Sequence, residues 1–407
     1  MSSEDFIVGL EIGTSKVCAV VAEGRPDGTI KINGVGQAPS RGVRKSGIVD
    51  FETAGKCVRE ALADAEEKSD VMIGSVYLAV TGGHIESFNN RGMIIIPEDR
   101  DEICDEDFVE VQTAAREVSI PAPNQFLHSI LQHYYVDGQD GVLNPIGMMG
   151  RKLEADFHIV HGVGNRIKNS IRCVKELDID VEDVVFGPLA SAQVVLDSDQ
   201  KNQGALVIDI GAGTTGYVMY ADGGVKHSGC LDLGGDHVTN DLSLGLRIPM
   251  ARAERLKIDE GSVRLGHSTP GERILLKDET GFAGKEIERE MLNTIIHCRV
   301  RETFELVKKQ LDASGARLDF LGAGVQLTGG SSMLKGINEL AEDVFGQPVH
   351  VTCVKGAMSG PTSAFENPQY SCAIGVVKYA HAMTVGLRRP NLFRRIARRI
   401  PFLNNLL

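Results

Sequence analysis

Apolar residues come in short blocks along this chain, and the spacing within each block predicts its element. Phe6 to Val21 reads as two strands joined by a Gly-Thr-Ser turn, followed by a helix at about Thr53 to Ser69 and a strand at Val76 to Val80. From His84 to about Gly162 the texture changes. Strand-like runs at Ser87 to Ile96, Phe126 to Val136 and Leu153 to His161 surround an acidic segment, Glu98 to Asp107, that opens a helix. This predicts an inserted subdomain. Its acidic run suits a helix N-terminus, or else a docking surface. A helix near Asn165 to Glu176 leads into a strand-to-helix junction at Val184 to Ala192, and Ala205 to Ile210 begins a second hairpin. Residues 285 to 312 read as one long helix with Ile287, Met291, Ile295, Val300, Phe304 and Val307 facing a core, and Arg299, Arg301, Lys308 and Lys309 outside.

The second hairpin echoes the first. Val8-Gly9-Leu10-Glu11-Ile12-Gly13-Thr14-Ser15-Lys16 and Val207-Ile208-Asp209-Ile210-Gly211-Ala212-Gly213-Thr214-Thr215 share a skeleton, with Glu11 matching Asp209 at an offset of 198 residues. A repeat at half the chain length implies two similar lobes facing one another. Each hairpin carries a carboxylate to the mouth of a turn of Gly and small hydroxyl residues, where exposed backbone N–H groups can close on phosphate oxygens. Two such turns would clamp a polyphosphate. Carboxylates beside phosphates require a cation, for which Mg²⁺ between Glu11 and Asp209 is the natural choice, and Lys16 could reach a phosphate as a point charge. A third Gly-rich turn, Thr328-Gly329-Gly330, follows an apolar strand. It is either a simple β-to-α connection or a close backbone approach to a base or ribose. Gly234-Gly235 makes a fourth Gly-rich approach.

Charge and composition narrow the field. With 407 residues the chain can form two domains or one bilobal body, and 46 Gly with no Trp suits an α/β protein. The 43 Lys and Arg against 55 Asp and Glu give a net charge of −12, which argues against a nucleic-acid partner. Eight scattered Cys without a C-x-x-C pair read as reduced thiols of a cytosolic protein. The acidic start lacks the cationic region of a secretory signal, and no stretch of 18 apolar residues predicts a membrane span. The last twenty residues stand apart. They hold Arg388, Arg389, Arg394, Arg395, Arg398 and Arg399 with no acid, which leaves −18 on the rest.

That end predicts a short amphipathic helix over Leu392 to Ile400, N-capped by Asn391. Leu392, Phe393, Ile396 and Ile400 share one face, Arg394, Arg395, Arg398 and Arg399 the adjoining one, and Phe402 and Leu403 add apolar weight beyond Pro401. At about 15 Å such a helix can lie on a membrane but not cross it. Each Arg adds roughly 1 kcal/mol on anionic lipid, so one copy holds reversibly and a row of assembled copies holds firmly. A helix docked on its own body is the plainer alternative.

The order of these motifs resembles the actin, Hsp70 and sugar kinase ATPase superfamily and, within it, the FtsA family of bacterial cell-division proteins. The likeness rests on the two hairpins, the Gly187-Pro188-Leu189-Ala190-Ser191-Ala192 helix start, Gly234-Gly235, the turn at 328 to 330 and Ala373-Ile374-Gly375. More specific are Glu11 in the first hairpin, Pro39-Ser40-Arg41-Gly42, Ser75 to Ala79, Asn144-Pro145-Ile146-Gly147, Ala253-Glu254-Arg255-Leu256-Lys257 and the basic end. The resemblance implies an α/β actin-like ATPase fold. Its first lobe core would span 1–83, 163–199 and 360–380, with a family-specific α+β insertion at 84–162. The second lobe core would span 200–257 and 321–359 and its small subdomain 258–320, before a linker and membrane-targeting helix at 381–407.

The same resemblance implies binding of ATP with Mg²⁺, self-assembly into filaments, and tethering of the tubulin-like FtsZ and later divisome proteins at the division site on the cytoplasmic face of the membrane. Gly13, Thr14, Ser15 and Lys16 would contact phosphates, Asp209 would position Mg²⁺, and Gly211, Gly213, Thr214 and Thr215 would form the second turn. Glu254 and Lys257 would lie near the ribose or base, Gly329, Gly330 and Met333 would bound the adenosine, and Arg299 and Glu302 are candidates for the FtsZ tail. One position departs from the pattern. Where many superfamily members carry Glu or Gln to orient a water, this chain has Gly187, and losing that group removes a factor of about 10² to 10⁴ in rate. Very slow hydrolysis is therefore expected, unless another side chain takes the role. Rival readings are a small-molecule kinase of the superfamily and a cytoplasmic actin-like pilus-assembly scaffold.

Overall fold

A computed structural model describes residues 6–25, 29–266, 269, 271–277, 284–356 and 358–388. The predicted amphipathic helix at Leu392 to Ile400, with Phe402 and Leu403, lies outside these residues.

The first lobe is built on a six-stranded sheet in the order Asp180–Phe186, Ser75–Val80, Phe6–Ile12, Lys16–Gly24, Ile30–Pro39, Met358–Ser359. Phe6–Ile12 pairs antiparallel with Lys16–Gly24 and parallel with Ser75–Val80. Val17 to Ala22 are buried without alternation because helices cover both sheet faces. One is Phe51–Ser69, whose N-cap Asp50 accepts from the Thr53 N–H at 3.2 Å. Gly36 lets it approach, since a Cβ there would stand 2.1 Å from the Ala61 carbonyl oxygen. Ser371–Arg388 covers the other face. A Cβ on Gly9 would meet Ala373 O at 2.6 Å.

The second lobe repeats the arrangement. Its five-stranded sheet runs Gly224–Leu231, Thr215–Ala221, Ala205–Ile210, Val325–Thr328, Val349–Val351, and Ala205–Ile210 is antiparallel to its hairpin partner and parallel to Val325–Thr328. Helices Gly235–Leu246, Met250–Glu260, Arg289–Ala313 and Ile337–Phe345 pack on it to form a separate core.

The stretch read from sequence as one helix over 285 to 312 divides. Lys285–Glu288 is a strand paired with Arg273–Leu276, and the helix begins at Arg289. This shifts the buried face: Leu292, Ile296, Val300, Phe304, Val307 and Leu311 are buried, Ile287 is buried from the strand, and Met291 is 47% exposed. Periodicity ran through the junction because Ile287 is apolar on both templates.

The insertion is a four-stranded sheet, Ile85–Ile95, Lys152–Val163, Asn124–Val136, Gln139–Val142, with the helix Asp105–Arg116 against it and its own core around Tyr134, Phe157 and Ile159. The acidic run serves the helix start. Asp107 accepts from the Cys104 N–H at 2.9 Å and from Arg100 at 2.9 Å. The insertion also seats on the second lobe: Ser87 Oγ donates to Ser228 O at 2.7 Å, Asn89 Nδ2 to Lys226 O at 3.0 Å and Gln132 Nε2 to Val225 O at 2.7 Å.

Candidate functional site

The twin hairpins meet at a cavity of about 350 Å³ between the lobes. Their turns close alike. The Gly13 N–H donates to Lys16 O at 3.0 Å, and 198 residues on, Gly211 N–H donates to Thr214 O at 2.9 Å. Glu11, Gly13, Thr14, Ser15 and Lys16 line the cavity from one lobe, and Asp209, Gly211, Gly213 and Thr214 from the other. The turns are in near contact, since a Cβ on Gly213 would stand 2.3 Å from Thr14 Oγ1. Glu254, Lys257, Gly329, Gly330 and Met333 also line it, with Ile258 and Leu334 making that end apolar.

The carboxylates differ in how they are held. Asp209 accepts from the Ser191 hydroxyl, whereas Glu11 Oε2 is buried with no hydrogen-bond partner. Burial raises the Glu11 carboxyl above its ordinary range, Lys16 opposes the rise, and Asp209 adds to it. Burial likewise raises Asp209 against the Ser191 hydrogen bond and Lys16. For Lys16 burial works toward a lower value, but Glu11, Cys18, Cys372 and Asp209 outweigh it and hold the ammonium above its ordinary value. Its Nζ donates to Gln369 O and lies 5.2 Å from the Tyr370 ring centroid. Two carboxylates and one ammonium therefore share a desolvated space, and an orphaned buried carboxylate oxygen is costly unless a cation or donor meets it. The donor set fits Mg²⁺, which takes one or two carboxylates and completes its shell with phosphate and water. Among the described residues there is no cluster of three or more His, Cys, Asp or Glu that would hold a metal without such help.

Three residues expected at the nucleotide site, Thr215, Gly234 and Gly235, do not line the cavity. Thr215 is fully buried, and its hydroxyl donates to Leu233 O at 2.8 Å. The cause is strand alternation: Thr214 faces the cavity, so Thr215 faces away. Gly234 and Gly235 lie beneath the second turn and brace it. Gly235 N–H donates to Gly211 O at 3.0 Å, and a Cβ on Gly234 would meet Gly211 O at 2.6 Å. Lys257 is buried and bonded to Glu254 Oε2 at 2.7 Å, Thr239 Oγ1 at 2.9 Å and Gly235 O at 3.1 Å. Arg299 donates to Asp241 at 2.6 Å and also to Glu302, so these two residues are engaged with one another on the second lobe.

Several site residues were not singled out from sequence. Ser46, at the tip of the Val43–Ile48 hairpin, joins the turns: its N–H donates to Thr14 Oγ1 at 3.0 Å and its hydroxyl lies 3.2 Å from Thr214 Oγ1. Ser331 Oγ donates to Gly211 O at 3.1 Å. Thr81 and Cys372 line the cavity, and they explain Gly187. A Cβ at position 187 would stand 2.3 Å from Thr81 Oγ1 and 3.3 Å from Cys372 Sγ. Two residues did carry a sequence signal: Ser331 directly follows the Thr328-Gly329-Gly330 turn, and Ser191, the donor to Asp209, lies within the Pro-Leu-Ala-Ser helix start.

The family model described as Cell division protein FtsA matches residues 206–375, and that of the SHS2 domain inserted in FTSA matches 82–161. The Cell division protein FtsA of Pseudomonas aeruginosa is 37% identical over 379 residues, covering 93% of this chain and 90% of the relative. The chain belongs to the FtsA family of cell-division proteins. Its Escherichia coli K12 member is 34% identical over 386 residues, covering 92% and 90%. Among solved structures, the PilM-PilN type IV pilus biogenesis complex aligns with a TM-score of 0.64 at 15% identity, covering 92% of this chain and 98% of that one. MreB5 of Spiroplasma citri bound to ADP aligns with a TM-score of 0.55 at 15% identity, covering 96% and 100%. These establish the fold of the family member as actin-like, with the insertion in the first lobe. Among the described residues no helix is long and apolar enough to cross a membrane.

Proposed function

We propose that the chain binds ATP with Mg²⁺ between its lobes and polymerises on the inner face of the cytoplasmic membrane. There it tethers the FtsZ tail and helps recruit later division proteins. The observation that carries the nucleotide part is the convergence of Glu11, Lys16 and Asp209 from two hairpins of one design on a single cavity, with Glu11 Oε2 left unpartnered. Magnesium supplies charge neutralisation between carboxylate and phosphate. Gly13, Thr14, Gly211 and Gly213 present backbone to the phosphates, Lys16 adds a point charge, and the apolar end near Ile258 and Met333 takes the base. A nucleotide-bound neighbour of the same fold, the MreB5 described as bound to ADP, supports this reading. Membrane attachment falls to the basic amphipathic end, Leu392 to Leu403, and Arg299 and Glu302 remain the candidates for the FtsZ tail. Hydrolysis is slow because residue 187 has no side chain.

Titration with ATP and Mg²⁺ tests the first claim. Saturable uptake abolished by Asp209→Ala supports it, and absence of uptake, or uptake indifferent to that change, overturns it. Flotation with anionic vesicles tests the second. Loss of binding on removing residues 389–407 supports the membrane role, and unchanged binding refutes it.

A further inference from the structure

The hairpin that sends Ser46 into the cavity also lines a second cleft, of about 580 Å³. Arg44 and Lys45 come from that hairpin, Arg166 and Asn169 from the helix Gly164–Lys175, and Asp232 follows the strand Gly224–Leu231. The side chains of Arg44, Lys45 and Arg166 make no ion pair or hydrogen bond among the described residues. In a chain with a net charge of −12, Arg91, Arg289 and Arg299 are each held by two acids. Asp232 is the one carboxylate of the cleft, and its Oδ1 already accepts from the Gly83 N–H at 2.7 Å. Three unpaired cations, an amide and one engaged acid leave the cleft positive.

The turn between the two cavities is unusual. Lys45 and Ser46 both have left-handed backbone, φ 50° and 57°, in a two-residue hairpin that Asn-Gly fills more easily. Keeping Lys and Ser at such positions sets a cation toward one cavity and a hydroxyl toward the other. The wall is thin, because a Cβ on Gly213 would stand 3.0 Å from Lys45 Cα.

We propose that this cleft is an anion site for orthophosphate, held by the guanidinium groups of Arg44 and Arg166 with Lys45 and the Asn169 amide. Planar guanidinium forks match phosphate oxygens, and Lys adds a point charge. Two sources share this chemistry. One is phosphate from solution. The other is phosphate formed next door when ATP and water give ADP, orthophosphate and a proton, and that source alone rests on the proposed nucleotide binding.

The test uses the full chain without nucleotide, in chloride buffer of low ionic strength, titrated with inorganic phosphate by calorimetry and ³¹P line broadening. Saturable binding that sulfate competes away is expected. Arg44→Ala with Arg166→Ala should weaken it roughly tenfold or more, and Arg44→Lys with Arg166→Lys should restore only the part that charge alone supplies. ATP affinity should not change, because neither Arg lines the nucleotide cavity. Absence of saturable binding, or equal binding by the double alanine variant, overturns the proposal. In single-turnover measurements that follow hydrolysis by acid quench and release by a phosphate reporter, a lag of release behind hydrolysis that the double variant changes identifies nascent phosphate as the ligand, and release in step with hydrolysis in both identifies the solution pool. A chain that took up no ATP would leave the phosphate titration as informative as before.

Discussion

Gly329→Ala separates the backbone demands of the site from its chemistry. Gly329 has φ 84° and ψ 164°, a region that only glycine occupies readily, at a cost to other residues of about 1–3 kcal/mol. The added methyl has nowhere to go. Its Cβ would stand 2.3 Å from Asp209 Oδ1, 2.7 Å from Ile210 O and 2.8 Å from Ile210 N. Two of those atoms are backbone of a central strand, so the Asp209 carboxylate, tied to Ser191, is the part that yields. Gly346→Ala is the matched control. It has φ 67° with nothing within 4 Å of its Cβ, so it carries only the left-handed penalty of about 1–2 kcal/mol. At roughly 2–4 °C per kcal/mol, the control should melt about 2–8 °C low and Gly329→Ala further still. The functional readouts should diverge more sharply. Calorimetric titration with ATP and Mg²⁺ should show at least a roughly tenfold loss for Gly329→Ala and none for Gly346→Ala. Equal affinities would refute the argument that Gly329 holds the space in which Asp209 works.

Four further outcomes follow from the same contacts. Burial raises the Glu11 carboxyl above its ordinary range in the folded chain, so the folded state keeps its proton to higher pH than the unfolded one. Stability from this group is thus full below the unfolded pKa and falls as pH rises through the folded pKa. Glu11→Gln should therefore melt higher than the parent near pH 8 without ligand while losing Mg²⁺-dependent nucleotide binding, and a lower melting point there would contradict the sign. Ser191→Ala strips the donor from Asp209 and should cost about 1.5–3 kcal/mol in denaturant titrations, with weaker nucleotide uptake. Gly187→Gln should lower the melting temperature without speeding turnover, and adding Thr81→Ala should recover stability and raise turnover, because Thr81 Oγ1 holds the required space. Leu292→Ala should cost about 2–5 kcal/mol and Met291→Ala under about 0.5, reversing the order that a helix from residue 285 would give.

What could be read from sequence follows from how local each signal was. The twin hairpins were legible because strand, acid and turn are contiguous and recur at 198 residues, and the insertion because its strands differ in texture from the lobe around them. Thr215 was misplaced by reading the turn as a string and not by its period of two. Glu11 and Asp209 lie on matched strands, but nothing local to either reveals that Ser191 bonds one of them and that the other is left open. Ser46 and Thr81 reach the cavity from elements whose sequences, Arg44-Lys45-Ser46-Gly47 and Val80-Thr81-Gly82, read as ordinary turns. Gly187 was read as a missing side chain. In three dimensions the space a side chain there would need is occupied by Thr81 Oγ1, from the residue after the strand Ser75–Val80.

That substitution of one element for another runs through the interlobe geometry. The insertion is covalently part of the first lobe, yet Ser87, Asn89 and Gln132 bond the strand Gly224–Leu231 of the second, and His158 Nε2 lies 2.8 Å from Ser228 Oγ. The same strand continues into Asp232, which takes the Gly83 N–H at the root of the insertion. It then enters Gly234-Gly235, where the N–H groups of Gly235 and Asp236 bind Gly211 O and Ala212 O at 3.0 and 2.8 Å. Seat, root and second turn thus hang on one short run of backbone. A shift of the second turn toward the first would therefore have to move the insertion, bend the chain at Asp232 to Gly234, or break one of these hydrogen bonds. The insertion and the second turn are thus linked through residues 224–236, a strand that gives way at Asp232 to a short turn into the helix Gly235–Leu246.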